Sequence, residues 1–326
     1  MRPNRLEADD APLTRRAALA RGTAAVAGAA IVSQAHGWPS VGFAAPGASF
    51  TGAIDAHVHV WTPDTERYPL AEGFTRAKMR PPSFTPEELL SIARPSGVER
   101  IVLIQMSFYQ FDNAYMLDTI KRFPGTFSGV AIVDTTVDDP AEAMIALVER
   151  GVRGFRISPS GATPDEWLTS EGMAALWLCA AENRLAVCPL VNPEYLDSID
   201  KMCDKYTDTR VVIDHFARIG ADGTIRESDL KRLCNLAQYQ NVHVKLSAFY
   251  ALGAKRPPYT DLIPMIRRLL DAYGPQRLMW ASDCPFQVQN GQTYEESIAL
   301  VRDRLELSEG DRRWLLRETA AKVYFS

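Results

Sequence analysis

Two histidines, His57 and His59, stand one residue apart in the otherwise apolar run "GAIDAHVHVW". Side chains alternate along a β-strand, so both imidazoles face the same way, with Asp55 expected on that face and Val58 and Val60 on the other. Imidazoles so paired can hold a metal or polarise a carbonyl. Other residues able to do chemistry recur at the ends of apolar runs. "GVRGFRI" offers Arg153 and Arg156, which have opposite parity, so Arg156 is expected inside and nearer the functional end. "VVIDHF" offers adjacent Asp214 and His215, of which a regular strand turns only one inward, and His215 is expected to be that one. "HVKLS" offers Lys245 and Ser247 on one face, with His243 deeper and structural. "WASDCP" ends in Asp283, where Pro285 stops the strand.

These residues need a frame that brings the ends of distant runs together. From residue 52 the chain alternates short Val/Ile/Leu-rich runs with amphipathic segments of helical length. Strands are expected at 53–60, 100–105, 127–133, 152–158, 185–191, 210–215, 242–248 and 277–283. Helical patterns lie at 86–94, 114–123, 140–150, 171–183, 193–206, 228–239, 261–273 and 294–305, and a last one at 309–324. Thr85 followed by Glu88 forms a capping box, and Gly97, Gly151 and Gly274 fall where helices end in a left-handed residue. Eight βα repeats with continuous apolar strands predict an α/β fold, a (β/α)8 TIM barrel in a single domain over 50–326. No glycine-rich phosphate loop follows a strand, which argues against a dinucleotide-binding sheet. In such a barrel the chemistry sits at the C-terminal ends of the strands. His57, His59, His215, Asp283, Arg156 and Lys245 are all expected there.

Residues 1–44 are a different kind of sequence. Arg15 and Arg16 precede a small, apolar run from Gly22 to Ala35, the pattern of a twin-arginine export signal, with cleavage after Ala35 or Ala44. The run is too short and alanine-rich for a stable membrane anchor, so the expected location is the periplasm or the cell exterior. The 326 residues are 46% hydrophobic with a net charge of −4 and no block of like charge, which excludes nucleic acid as a natural partner. A homo-oligomer is compatible with this composition. Five cysteines, an odd number with no C-x-x-C pair, lie mostly in core-like patterns and are expected to be buried thiols.

The ordered set "DAHVH", "GVRGFR", "VVIDH", "VKLS" and "RLMWASDCP" resembles the amidohydrolase superfamily, in the amidohydrolase-2 branch that includes sugar-acid lactonases and 2-pyrone-4,6-dicarboxylate lactonase. The resemblance covers residue 50 to the end. It implies His57, His59, His215 and Asp283 as catalytic residues. In metal-dependent members the first pair and the aspartate hold a divalent ion with a strand-five histidine; this chain has no such histidine, and Cys188 is the nearest candidate. The lysine of two-metal members is replaced by Arg156, a fixed cation. The resemblance therefore implies either no metal or one divalent ion, zinc by preference, on His57, His59 and Asp283.

The reaction expected is the opening of a lactone ring. Asp283 would act as base, the three histidines would polarise the carbonyl, and Arg156, Arg153 and Lys245 would hold an anionic small-molecule substrate. Tyr109, after strand two, and Phe249 with Tyr250, after strand seven, would either flank the substrate ring or pack as ordinary loop residues. Two other functions stay open: a metal-dependent decarboxylase of an aromatic or unsaturated acid, and an inactive barrel that only binds.

Overall fold

The computed structural model describes residues 52–137, 139–159, 163 and 166–326. The expected export signal lies outside them. Eight parallel strands follow one another in a single sheet, each paired with the next: β1 (Ala53–Val58), β2 (Val98–Ile104), β3 (Phe127–Ala131), β4 (Val152–Ile157), β5 (Ala186–Pro189), β6 (Arg210–Ile213), β7 (Val242–Leu246) and β8 (Leu278–Trp280). The ring closes where the segment after β8 lies along β1. Asp283 N donates to His57 O at 2.9 Å and His59 N donates to Cys284 O at 2.8 Å.

The outer layer holds α1 (Pro86–Ala93), α2 (Ala114–Arg122), α3 (Ala141–Val148), α4 (Glu171–Glu182), α5 (Leu196–Lys205), α6 (Glu227–Asn235), α7 (Ile263–Tyr273) and α8 (Tyr294–Ala299). The Thr85–Glu88 capping box starts α1 as expected. Gly97, Gly151 and Gly274 have φ of 80°, 99° and 69°, which glycine adopts at no steric cost. The expected last helix is wound in three parts: α9 (Glu309–Arg313), a π-helical stretch (Trp314–Glu318) and α10 (Thr319–Tyr324).

Two apolar cores result. The larger lies between strands and helices; the smaller fills the barrel with Ile54, Val102, Val130, Val212 and Met279, closed by Val323 and Tyr324 of α10. Among the described residues no helix is long and apolar enough to cross a membrane. All five cysteines are free thiols, four of them buried, as their setting predicts.

β1 departs from simple alternation. Asp55 pairs with Ile101 and Val58 with Leu103, so three steps on β1 match two on β2. This bulge flips the parity. Asp55, expected beside the histidines, turns away from them. Its carboxylate accepts from Ser282 N at 2.9 Å and from the Tyr294 hydroxyl at 2.6 Å. Burial pushes its pKa up to about 6, against the pull of those bonds. Asp55 thus ties β1 to the β8 segment and to α8.

Candidate active site

The bulge lets His57 and His59 face inward, and both are buried. Their Nε2 atoms lie 3.3 Å apart. His59 Nδ1 is 2.9 Å from the carbonyl oxygen of Ile104, which can only accept. Nδ1 therefore carries a proton, and Nε2 is the ring nitrogen turned towards Asp283. The His57 ring can be assigned in the same way. The Arg156 guanidinium, which can only donate, sits 2.8 Å from His57 Nε2. The ring proton then lies on Nδ1, facing Asp214 Oδ1 at 3.3 Å, with the Lys245 ammonium, also 3.3 Å from Nδ1, held by the same carboxylate oxygen at 3.0 Å. Burial lowers the His57 pKa well below its usual value, so the ring is neutral.

β6 ends at Ile213, earlier than its apolar pattern suggests, and the parity argument ends with it. The chain then turns through φ values of 51° at His215, 54° at Phe216, 52° at Ala217 and 57° at Arg218. Asp214 and His215 both reach the site, correcting the expectation that only one would. Asp214 lies at the centre of a buried charge cluster. Its Oδ2 accepts from Arg156 at 3.0 Å, and its Oδ1 is 3.0 Å from Lys245 Nζ. Burial alone would raise its pKa, but Lys245, His57 and Arg156 outweigh it and hold the carboxyl well below the usual range. His215 Nδ1 is 2.7 Å from Ser247 Oγ, and burial lowers its pKa to about 4.

Asp283 stands opposite, at φ 62°. Its Oδ1 lies 3.5 Å from His57 Nε2, 3.4 Å from His59 Nε2 and 3.8 Å from His215 Nε2. That oxygen is buried and has no hydrogen-bond partner. Its Oδ2 accepts from the Tyr250 hydroxyl at 2.7 Å. Burial favours the protonated acid, yet His215, His59 and His57 reverse this and lower the pKa. Burial and Asp283 together push the Tyr250 phenol up, so it remains a donor.

A cavity of about 390 Å³ opens above this group. His59, His215, Arg156, Asp283, Tyr250 and Arg218 are among its polar lining residues, and Leu190, Leu252 and Phe286 are among its apolar walls. That volume suits a small ring compound.

Three expected substrate contacts lie elsewhere. Lys245 has no exposed surface; it pairs with Asp214 and its ammonium sits 5.4 Å from the centre of the Tyr324 ring. Arg153 donates to the carbonyls of Val148 and Val152 on the outer side of β4. Tyr109 packs on Phe108 and Tyr115, with its hydroxyl near Thr62 N. Of the aromatic residues after β7, Tyr250 lines the cavity while Phe249 packs against Phe216 and Tyr259. Cys188 lies deeper, 3.4 Å from the Tyr324 hydroxyl; burial pushes its thiol up to about 11, so it is no substitute for a strand-five ligand.

His57, His59 and Asp283 offer three ligand atoms within 4.8 Å of one another. Two imidazoles held through Nδ1 and a carboxylate oxygen without a partner are the donor chemistry of a single divalent-ion site. Arg156 competes for the His57 lone pair.

The Amidohydrolase family model matches residues 54–325. An L-fucono-1,5-lactonase of Burkholderia ambifaria is 28% identical over 72% of this chain and 81% of its own length. A 4-sulfomuconolactone hydrolase of Hydrogenophaga intermedia is 27% identical over 84% of this chain and 88% of its own length. Among solved structures, an amidohydrolase from Burkholderia multivorans with bound zinc overlays with a TM-score of 0.67 at 22% identity, covering 84% of this chain and 99% of that one, a likeness of fold.

Proposed function

The chain belongs to the amidohydrolase family, and we propose from its site that it hydrolyses a lactone, opening a cyclic ester to a hydroxy acid. One observation carries this reading. Two buried polar atoms in the cavity-lining residues have no partner: the acceptor Asp283 Oδ1 and the donor Arg156 Nε. Ester hydrolysis needs one of each. A water gives a proton to Asp283 Oδ1 as its oxygen attacks the carbonyl carbon. The carbonyl oxygen takes up negative charge beside Arg156 Nε–H. The ring C–O bond breaks, and the leaving alkoxide recovers the proton from Asp283. A positioned base contributes about 10²–10⁴ in rate and one oxyanion donor about 10²–10³. That is enough for a reactive lactone. Relatives named as a fuconolactonase and a sulfomuconolactone hydrolase support this chemistry.

His57, His59 and Asp283 would hold one divalent ion, zinc by preference. Such an ion, when bound, polarises the carbonyl and acidifies water. Arg156 and Lys245 place two fixed positive charges against His57, which weakens affinity for a dication. Arg15 and Arg16, followed by an apolar run, support export by the twin-arginine route, so the enzyme would act outside the cytoplasm.

The deciding experiment measures acid release from sugar-acid lactones, 4-sulfomuconolactone and 2-pyrone-4,6-dicarboxylate, by the wild type and by Asp283→Asn. Turnover by the wild type and its loss in the variant are expected. Undiminished turnover in the variant overturns the role of Asp283; no turnover of any lactone, with carbon dioxide release from aromatic acids, replaces the hydrolase with a decarboxylase.

A further inference from the structure

The turn after β6 is costly for what it contains. Four successive residues, His215 to Arg218, adopt positive φ, and none is glycine. Left-handed conformations are unfavourable for an L-residue, whose Cβ crowds the following carbonyl oxygen. Such strain persists where the surroundings over-determine it, and functional sites are where it gathers. A tight left-handed turn has about three residues per turn, so its first and fourth residues share a side. Here those are His215 and Arg218, both lining the cavity, while Phe216 and Ala217 are fully buried in the outer core.

The cations near the cavity are not equivalent. Lys245 is committed to Asp214, and Arg156 is shared between Asp214 and His57. Arg153 lies outside the barrel. Arg218 has no ion pair among the described residues; its guanidinium donates to the neutral amide oxygen of Asn192 at 3.3 Å. It is exposed at the cavity mouth, yet its charge is felt at the Tyr250 phenol, which is bonded to Asp283.

We propose that Arg218 recognises an anionic substituent of the substrate, so that this enzyme prefers lactones carrying a carboxylate or sulfonate apart from the reacting ester. This rests on the lactone-hydrolase reading above. The guanidinium offers parallel donors matched to two oxygens of such a group. Apolar walls of Leu190, Leu252 and Phe286 hold the ring between that contact at the rim and Asp283 at the base.

The test compares wild type, Arg218→Gln and Arg218→Lys on 4-sulfomuconolactone and on uncharged L-fucono-1,5-lactone. In Arg218→Gln the kcat/KM ratio of the charged over the uncharged lactone should fall about tenfold or more, mainly through KM. Arg218→Lys, which keeps the charge but not the fork, should recover part of it. An unchanged ratio overturns the proposal. If the wild type opens neither lactone, the hydrolase reading is decided on the wider lactone panel, and Arg218 is judged by binding alone. Calorimetry then compares isophthalate with isophthalamide. A roughly tenfold wild-type preference for the dianion, lost in Arg218→Gln, supports the proposal; no binding of isophthalate, or the same preference in both proteins, overturns it.

Discussion

The barrel carries histidines at both ends, and the two ends use them differently. At the open end His57, His59 and His215 converge on one carboxylate oxygen. At the closed end His243, at the start of β7, bonds the carbonyl of Asn241 at 3.0 Å, near Arg210 and Arg277. Burial brings His215 and His243 alike to about 4. A displaced pKa therefore does not separate the two. What separates them is the partner: His243 is satisfied by a backbone oxygen, whereas His215 helps surround an oxygen with no partner of its own. Burial alone makes a neutral histidine; convergence makes a site.

Substitution should break this comparison most sharply at Asp283. Asp283→Asn keeps the shape and removes the base, and kcat should fall about 10²–10⁴-fold. His243→Asn, at the other end, should change kcat less than about threefold in the same assay. Comparable losses in the two variants would make the open end no more functional than the closed one.

Asp214 comes next. Arg156 and Lys245 both depend on its carboxylate, and all three are buried. Asp214→Ala leaves two cations facing each other in the barrel, and removing one partner of a buried pair costs about 3–5 kcal/mol. Denaturant unfolding should show that loss. A much smaller loss would mean water replaces the carboxylate, and that the cluster is not what holds Arg156 in place.

Metal removal should have a smaller effect. With Arg156 donating to His57 Nε2 and Lys245 nearby, activity after chelation and dialysis should fall less than about tenfold. Elemental analysis of the dialysed protein should find well under one divalent ion per chain. Complete loss on chelation, restored by zinc, would make the His57–His59–Asp283 lone pairs a resident metal site.

Much of this was legible in the sequence, and the exceptions share a cause. Continuous apolar runs and helical patterns define the eight βα units. The polar residues closing strands one, four, six and eight mark the open end. The parity rule, however, assumes an unbroken strand. It failed at Asp55, where one extra residue enters β1, and at Asp214, where β6 stops and the chain turns left-handed. Neither a bulge nor a run of positive φ in Asp-His-Phe-Ala-Arg carries a glycine to announce it. Lys245 was placed on the correct face, but alternation gives no depth along the barrel axis, and it lies below the cavity rather than in it. Tyr250 is read in the sequence only as a residue that either flanks the substrate ring or packs in its loop; it lines the cavity, and its bond to Asp283 depends on how the loop after β7 folds back, which no local pattern encodes.

The smallest expected effect sharpens the comparison from the closed end. His243 has a folded pKa of about 4 against about 6.5 when unfolded. Between those values the unfolded chain binds the extra proton, so stability is fully present above about pH 6.5 and is lost as pH falls towards 4. Each such histidine contributes a slope of up to about 1.4 kcal/mol per pH unit in that window. His243→Asn should flatten the measured slope by up to that amount and leave lactone turnover at pH 7 in place. An unchanged slope would mean that His243 stays solvated enough to titrate normally in the folded protein. The two ends would then differ in burial as well as in convergence, and the neutral state of His215 would owe more to its own surroundings than to depth in the barrel.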